Sequence, residues 1–271
     1  MKKSRLWLPY RIISIVILLG LMGGLFHVWI PYVDSATEVR KNGFDITKAS
    51  IPHDEILQGG PIPAIHNPKW VSSDLALKSF PKNDRAMIIE FSGQRRAYPI
   101  SILNWHEVIN DEIEGSSVTV TYCPLCGTGI VFDGRVDDRR LTFGVSGLLY
   151  QSDVLLYDLK DSLWSQIKRE AVRGPLLGRR LKVIPSELTP LHPYLEKYPD
   201  TQVLSKSVGI SEVFRNYDRD PYDGYDQTEA LYFPVRLPNK TGELRLSLLA
   251  FYPDSKIYQN EVKATVEEGA Q

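Results

Sequence analysis

"SSVTVTYCPLCGTGIVFDG", Ser116 to Gly134, holds the only two cysteines of a 271-residue chain. In its first half Val118, Val120 and Tyr122 alternate with Thr119 and Thr121, the period of two that marks a half-buried strand. The strand delivers the chain directly to Cys123. Pro124 biases Cys123 toward extended backbone, and Gly127 and Gly129 permit positive φ just after Cys126. The expected local form is a knuckle, a tight turn at a strand end that aims two sulfurs at one point. Thioredoxin-like enzymes also use C-x-x-C, but their pair opens a long helix whose dipole lowers the first thiol's pKa. "GTGIVFDG" is a poor helix, so that mechanism loses much of its physical basis.

Upstream, "SILNWHEVINDEIEG" predicts a short amphipathic helix with Ser101 as N-cap, Ile102, Trp105 and Ile109 on one face, and an end near Gly115. "AMIIEFSGQRRAYPI" predicts a hairpin turning at Ser92-Gly93. Downstream, "GIVFDGRVDDRRLTFGV" reads as another hairpin with Gly134 to Asp138 as its loop. "DVLLYD" and "LWSQI" read as further strands, and "IPSELTPLHPYLEKYPDT" as a short helix between prolines. The fold class is therefore α+β, mainly β: one mixed antiparallel-sheet domain with short helices over residues 86–257, behind an N-terminal transmembrane helix. Residues 31–85 form an extended lead-in broken by Pro52, Pro61, Pro63, Pro68 and Gly59-Gly60, expected to wrap or dock on the domain. Residues 258–271 are a polar tail.

The basic segment 1–11 carries Lys2, Lys3, Arg5 and Arg11 and precedes "IISIVILLGLMGGLFHVWI", Ile12 to Ile30. That run is long enough to span a bilayer at about 20 residues per helix, with the basic flank in the cytoplasm. The expectation is a single-pass membrane anchor through residues 12–30, with the C-terminal domain extracytoplasmic, in a periplasm-like setting. A cleaved signal peptide is the alternative, but its apolar core is usually about 7 to 15 residues long. Lys+Arg 32 against Asp+Glu 33 leaves a net charge of −1, which excludes a basic field for nucleic acid.

Export allows close thiols to pair, so three readings of Cys123 and Cys126 stand: a transition-metal site, a reversible thiol-disulfide couple, or a structural disulfide in a non-catalytic binding domain. A metal site needs further ligands, because a lone C-x-x-C supplies two of the four that zinc usually takes. His106 is the expected third, since it lies in the helix before the strand that feeds Cys123. Cys123, Cys126 and His106 would suit copper or zinc, copper because thiolates favour Cu(I). Taken alone, His106 beside Trp105 reads first as a hydrogen-bonded helix histidine; the nearby cysteine knuckle brings the ligand reading level with it. Trp105, Glu107, Ser146, Tyr150, Ser152, Asp153, Trp164, Ser165 and Gln166 are candidates for a lined pocket. A serine nucleophile is disfavoured, because Leu148 stands where G-x-S-x-G needs its second glycine after Ser146. "DRDPYDGYD", from Asp218, lacks calcium-loop spacing and reads as a turn.

With "NWHEVIND", "TYCPLCGTG", "FGVSGLLYQSD" and "LWSQ" in this order, the chain resembles a bacterial family of exported proteins termed domain of unknown function 3179. The resemblance is dense from about Ile62 to Tyr225 and implies that His106, Cys123, Cys126, Ser146, Trp164, Ser165 and Gln166 occupy the family's signature positions. It supplies no reaction. Near the C-terminus "VRLPNKTGELRLSLLAFYPDSK" departs from the lysine- and glycine-containing strand that the family leads one to expect.

Overall fold

Period-two runs dominate the chain from Arg85 onward, and the computed structural model assembles them into three larger sheets and one small hairpin. It describes residues 39–207, 215–228 and 230–236, together with a two-residue backbone pairing of Ile15–Val16 with His27–Val28. The anchor expected over 12–30 otherwise lies outside the described residues, as do segment 1–11 and tail 258–271. Among the described residues no helix is long and apolar enough to cross a membrane.

In chain order the lead-in supplies β1 (Ile56–Gln58), β2 (Trp70–Val71) and α1 (Ser73–Ser79). Then come β3 (Arg85–Phe91), β4 (Gln94–Pro99), α2 (Ile100–His106), β5 (Val108–Ile113), β6 (Ser116–Cys123) and β7 (Thr128–Asp133). The second half supplies β8 (Phe143–Tyr150), β9 (Asp153–Asp158), β10 (Leu163–Ser165), β11 (Glu170–Arg173), β12 (Val183–Ile184), β13 (Glu187–Pro190), α3 (Leu191–Lys197) and β14 (Gln202–Leu204). The knuckle sheet has the order β12-β7-β6-β5 and is antiparallel throughout. A second sheet, β11-β10-β9-β8-β1, is also antiparallel. The third, β13-β3-β4-β14-β2, has one parallel pairing, β14 with β4. Mainly β with a few short helices is the observed class.

The knuckle sheet lies between two cores, which is what gives the Val/Thr alternation of β6 its meaning. Val118, Val120 and Tyr122 join a cluster with Met87, Ile89, Tyr98, Ile102 and Leu103 of β3, β4 and α2. Cys123, Ile130 and Phe132 join another with Phe143, Val154, Leu156 and Trp164 of the second sheet. Thr119 and Thr121 are buried too, so β6 is covered on both faces instead of one. Gly129 shows how tightly the layers meet: a Cβ there would come 2.3 Å from the Met87 sulfur. Between β4 and β5, buried Arg96 pairs with Asp111, and Tyr98 Oη donates to Asp111 Oδ2 at 2.7 Å.

Two elements differ from the sequence expectation. Helix α2 begins after Pro99, not with a Ser101 cap, and stops at Glu107 in the left-handed conformation (φ 55°). The Ser101 N–H and hydroxyl both donate instead to the Asp84 carboxylate. Val108, Ile109 and Ile113, which helical spacing would have placed on a helix face, are inward residues of strand β5; β-branched side chains suit that pleated surface. The hairpin expected over 129–145 is also redistributed. A small hairpin, Arg135–Val136 with Arg139–Arg140, turns at Asp137-Asp138, but its flanking long strands β7 and β8 enter different sheets. The turn at Ser92-Gly93 is present, both residues having positive φ.

Candidate metal centre

Two turn tips meet in the core between the knuckle sheet and the second sheet. The first is the knuckle itself: Cys123 ends β6, pairs with Thr128 of β7, and the chain reverses through Pro124 to Gly127, whose φ is 66°. No helix follows Cys126; strand β7 does. The second tip joins β8 to β9 through Gln151 and Ser152, both non-glycine residues at positive φ (55° and 58°), the sense of twist that two-residue hairpins require. That turn sets Asp153 at the start of β9, facing the cysteines. The Cys126 thiol donates to Asp153 Oδ1 at 3.7 Å and the Cys123 thiol to Ser152 O at 3.6 Å. The Ile167 N–H donates to the other Asp153 oxygen at 3.1 Å.

Cys123 Sγ, Cys126 Sγ and an Asp153 oxygen all lie within 4.8 Å of one another, and the three residues are 0%, 0% and 1% exposed. Both cysteines are free thiols in the structure. A fourth acid stands near them. Glu107, at the end of α2, is held to β6 by its carbonyl, which accepts the Tyr122 N–H at 2.8 Å. Its carboxylate is buried and has no hydrogen-bond donor among the described residues.

Burial raises the pKa of all three perturbed acids here. It pushes Glu107 up to about 8, with the neighbouring Asp153 charge adding to the shift. It pushes Asp153 up to about 7 against the opposing hydrogen bonds from Ile167, Cys126 and Val154. The Cys123 thiol is raised by burial first, and then by Cys126, Asp153 and Glu107. Among the described residues no basic side chain offsets the charge at either carboxylate. Buried acids whose ionised forms repel one another are a set that a bound cation would stabilise.

His106, the expected third ligand, is engaged elsewhere. Its Nδ1 is 2.8 Å from Pro63 O and its Nε2 is 2.7 Å from Tyr217 Oη. The carbonyl can only accept, so Nδ1 carries the proton and Nε2 accepts from the tyrosine. Asp153, which the sequence suggested only as a pocket group, occupies the third corner.

The other pocket candidates divide in two. Glu107, Ser152 and Asp153 lie around the cysteines, as above. Ser146, Tyr150, Trp164, Ser165, Gln166 and Trp105 brace the surrounding elements. Ser146 Oγ donates to Leu155 O and accepts from the Leu148 N–H at 3.0 Å, closing an irregularity in β8. Tyr150 is half-buried against Ile56 and its neighbours. Trp164 Nε1 donates to Asp158 Oδ2 at 2.9 Å, and Ser165 Oγ accepts from the Lys168 N–H at 3.2 Å. Gln166 Nε2 donates to Thr121 Oγ1 at 2.8 Å and to Thr128 O at 3.2 Å, tying the second sheet to both strands of the knuckle. Trp105 Nε1 donates to Arg219 O at 3.0 Å, which holds segment 215–228 across α2.

That segment helps to enclose a cleft of about 640 Å³ that none of the pocket candidates lines. Its walls include Asp84, Arg85, Asn104, Tyr122, Pro124 and Asp220. Asp220, read from sequence as part of a turn, accepts from the Tyr222 N–H at 2.8 Å and from Asn104 Nδ2 at 2.9 Å. Sequence inspection missed this cleft because its walls come from segments more than 100 residues apart, such as Asn104 and Asp220.

No curated protein and no solved structure matches the chain. A match to the family described as "Protein of unknown function (DUF3179)" extends over residues 59–257 and takes in α2, the knuckle, the β8–β9 turn and β10. The knuckle and the turn that faces it are thus parts of a shared domain, and the chain belongs to the DUF3179 family.

Proposed function

We propose that this protein binds a transition-metal ion through Cys123, Cys126 and Asp153, with zinc as the metal the donor set fits best. The observation that carries this reading is the convergence of two thiols and a carboxylate within 4.8 Å at a fully buried point. Two sulfurs plus an oxygen match the ligand chemistry of Zn²⁺, whereas a carboxylate is a poor donor for Cu(I). Glu107 is the nearby acid that a fourth position would draw in; binding would replace the protons that burial keeps on Cys123, Asp153 and Glu107. A site this enclosed has no open side for substrate, so the metal's role is to hold the knuckle and the β8–β9 turn together. The setting we propose is a membrane-anchored extracytoplasmic domain, from the apolar run 12–30.

Thiol-disulfide exchange is the second reading. It is disfavoured by two observations: both sulfurs are 0% exposed, and burial drives the Cys123 pKa up, the opposite of an activated thiolate. The test is elemental analysis of the full chain after zinc and copper have each been offered. The expected result is about one zinc per chain, lost in Cys126→Ser and Asp153→Asn. Clearly substoichiometric metal in the unsubstituted protein sinks the proposal.

A further inference from the structure

The cleft beside the knuckle carries a chemistry that the metal reading does not use. Its volume, about 640 Å³, falls in the range of small-molecule sites. Tyr122 lines it and is only 5% exposed, yet its hydroxyl has no hydrogen-bond partner among the described residues. Arg85 and Asp220, of opposite charge, line the same cleft. Arg85 is half-buried, and among the described residues its guanidinium makes no hydrogen bond or ion pair. Asp220 uses Oδ1 for Asn104 and the Tyr222 N–H, leaving its second oxygen without a described partner. Arg85 and Asp220 do not pair with each other. The cleft thus holds one cation, Arg85, and a fixed hydroxyl among four carboxylates, of which Asp84 is engaged by Ser101, Asp218 pairs with Lys206, and Asp220 is exposed at the cleft wall with one oxygen unused. A simple anion would meet the carboxylates, and a simple cation would leave Arg85 unanswered; a molecule bearing both charges satisfies Arg85 and Asp220 together.

We propose that this cleft binds a small zwitterion, a free amino acid or short peptide, with its carboxylate on Arg85 and the Tyr122 hydroxyl and its ammonium on Asp220. The inference stands apart from the metal reading. The experiment is titration calorimetry on the full chain with alanine, dialanine and trialanine, against N-acetylalanine and alaninamide. At least one zwitterion is expected to bind, and the capped forms to bind about tenfold more weakly or worse. Free alanine against the peptides distinguishes the two sources. Tyr122→Phe and Asp220→Asn should each weaken binding about fivefold or more while metal content stays unchanged. Should Arg85→Gln fail to fold, Tyr122→Phe, which removes one oxygen, carries the test alone. Absence of binding by every zwitterion up to about 10 mM, equal binding of capped forms, or full affinity in Tyr122→Phe overturns the proposal.

Discussion

His106 has both ring nitrogens engaged in hydrogen bonds within the protein. Its two nitrogens join Pro63, in the lead-in, to Tyr217, in the segment that closes the cleft, so one imidazole ties three distant parts of the chain. Burial lowers its pKa, reinforced by the Arg215 charge, which keeps the ring neutral and the hydrogen-bond directions fixed. His106→Phe should therefore cost about 1–3 kcal/mol, because a half-buried carbonyl and a buried hydroxyl lose their hydrogen bonds to the ring. It should leave the metal stoichiometry of the full chain as it was, measured by elemental analysis beside Cys126→Ser, which should abolish it. Loss of metal in His106→Phe would instead return the histidine to the ligand set. At this scale the sequence was informative about the thiols and offered their partner, Asp153, only as a pocket group. Cys123 and Cys126 are visible because their spacing is local, and so are the proline and glycines that shape the knuckle. Asp153 sits 27 residues beyond Cys126, on a separate hairpin, and only the docking of two turn tips makes it a neighbour.

Among the elements, β8 bears the most instructive irregularity. Its register with β9 shifts between Val145 and Leu148, and Gly147 in that interval has φ 68°. The Gly147 carbonyl accepts from the Gly59 N–H at 2.7 Å and from Asn42 Nδ2 at 3.0 Å, so the bulge is where the lead-in docks on the second sheet. A Cβ at 147 would come 2.6 Å from Pro61 N, a backbone atom that cannot turn aside. Gly147→Ala is thus expected to destabilise by about 2 kcal/mol or more, from positive φ and overpacking together. It should also speed proteolysis around 59–61 while metal content persists; an unchanged urea midpoint would overturn this account. Element type was legible wherever one pattern ran without a rival, as in β6, β9 and the β3–β4 hairpin. It failed at Glu107, where i, i+3, i+7 apolar spacing continues across a helix end into strand β5. Both periods fit "SILNWHEVI", and the left-handed turn that separates them is made by a glutamate, with no glycine to announce it. The partner of β7 was illegible for a related reason: proximity in sequence favours pairing with β8, but the hydrophobic faces send the two strands to different layers.

For the whole molecule, a central sheet covered on both faces makes its acids costly, and stability should report this. Glu107 is moved from an ordinary 4.5 to about 8, and Asp153 from 3.8 to about 7, chiefly by burial. In the fold each keeps a proton that the unfolded chain has already released, so over the interval between these values the native state binds more protons. The contribution of these groups is full below the unfolded pKa values and is lost as pH rises through the folded ones. The metal-free chain should accordingly be more stable near pH 5 than near pH 8, by on the order of 2 kcal/mol or more. Zinc acts in the opposite direction, because it requires the deprotonated donors and binds more tightly as pH rises. One equivalent of zinc should therefore add little near pH 5 and most near pH 8, narrowing the difference between them. Urea unfolding of the full chain at both pH values, with chelator and with zinc, reads all four stabilities. Asp153→Asn removes one of the two titrating carboxylates and a ligand at once: it should flatten the chelator profile and erase the gain from zinc at pH 8. A chelated protein whose stability is level or rising from pH 5 to pH 8 would mean that these carboxylates are ionised in the fold, and with that the electrostatic case for a cation between them would fall.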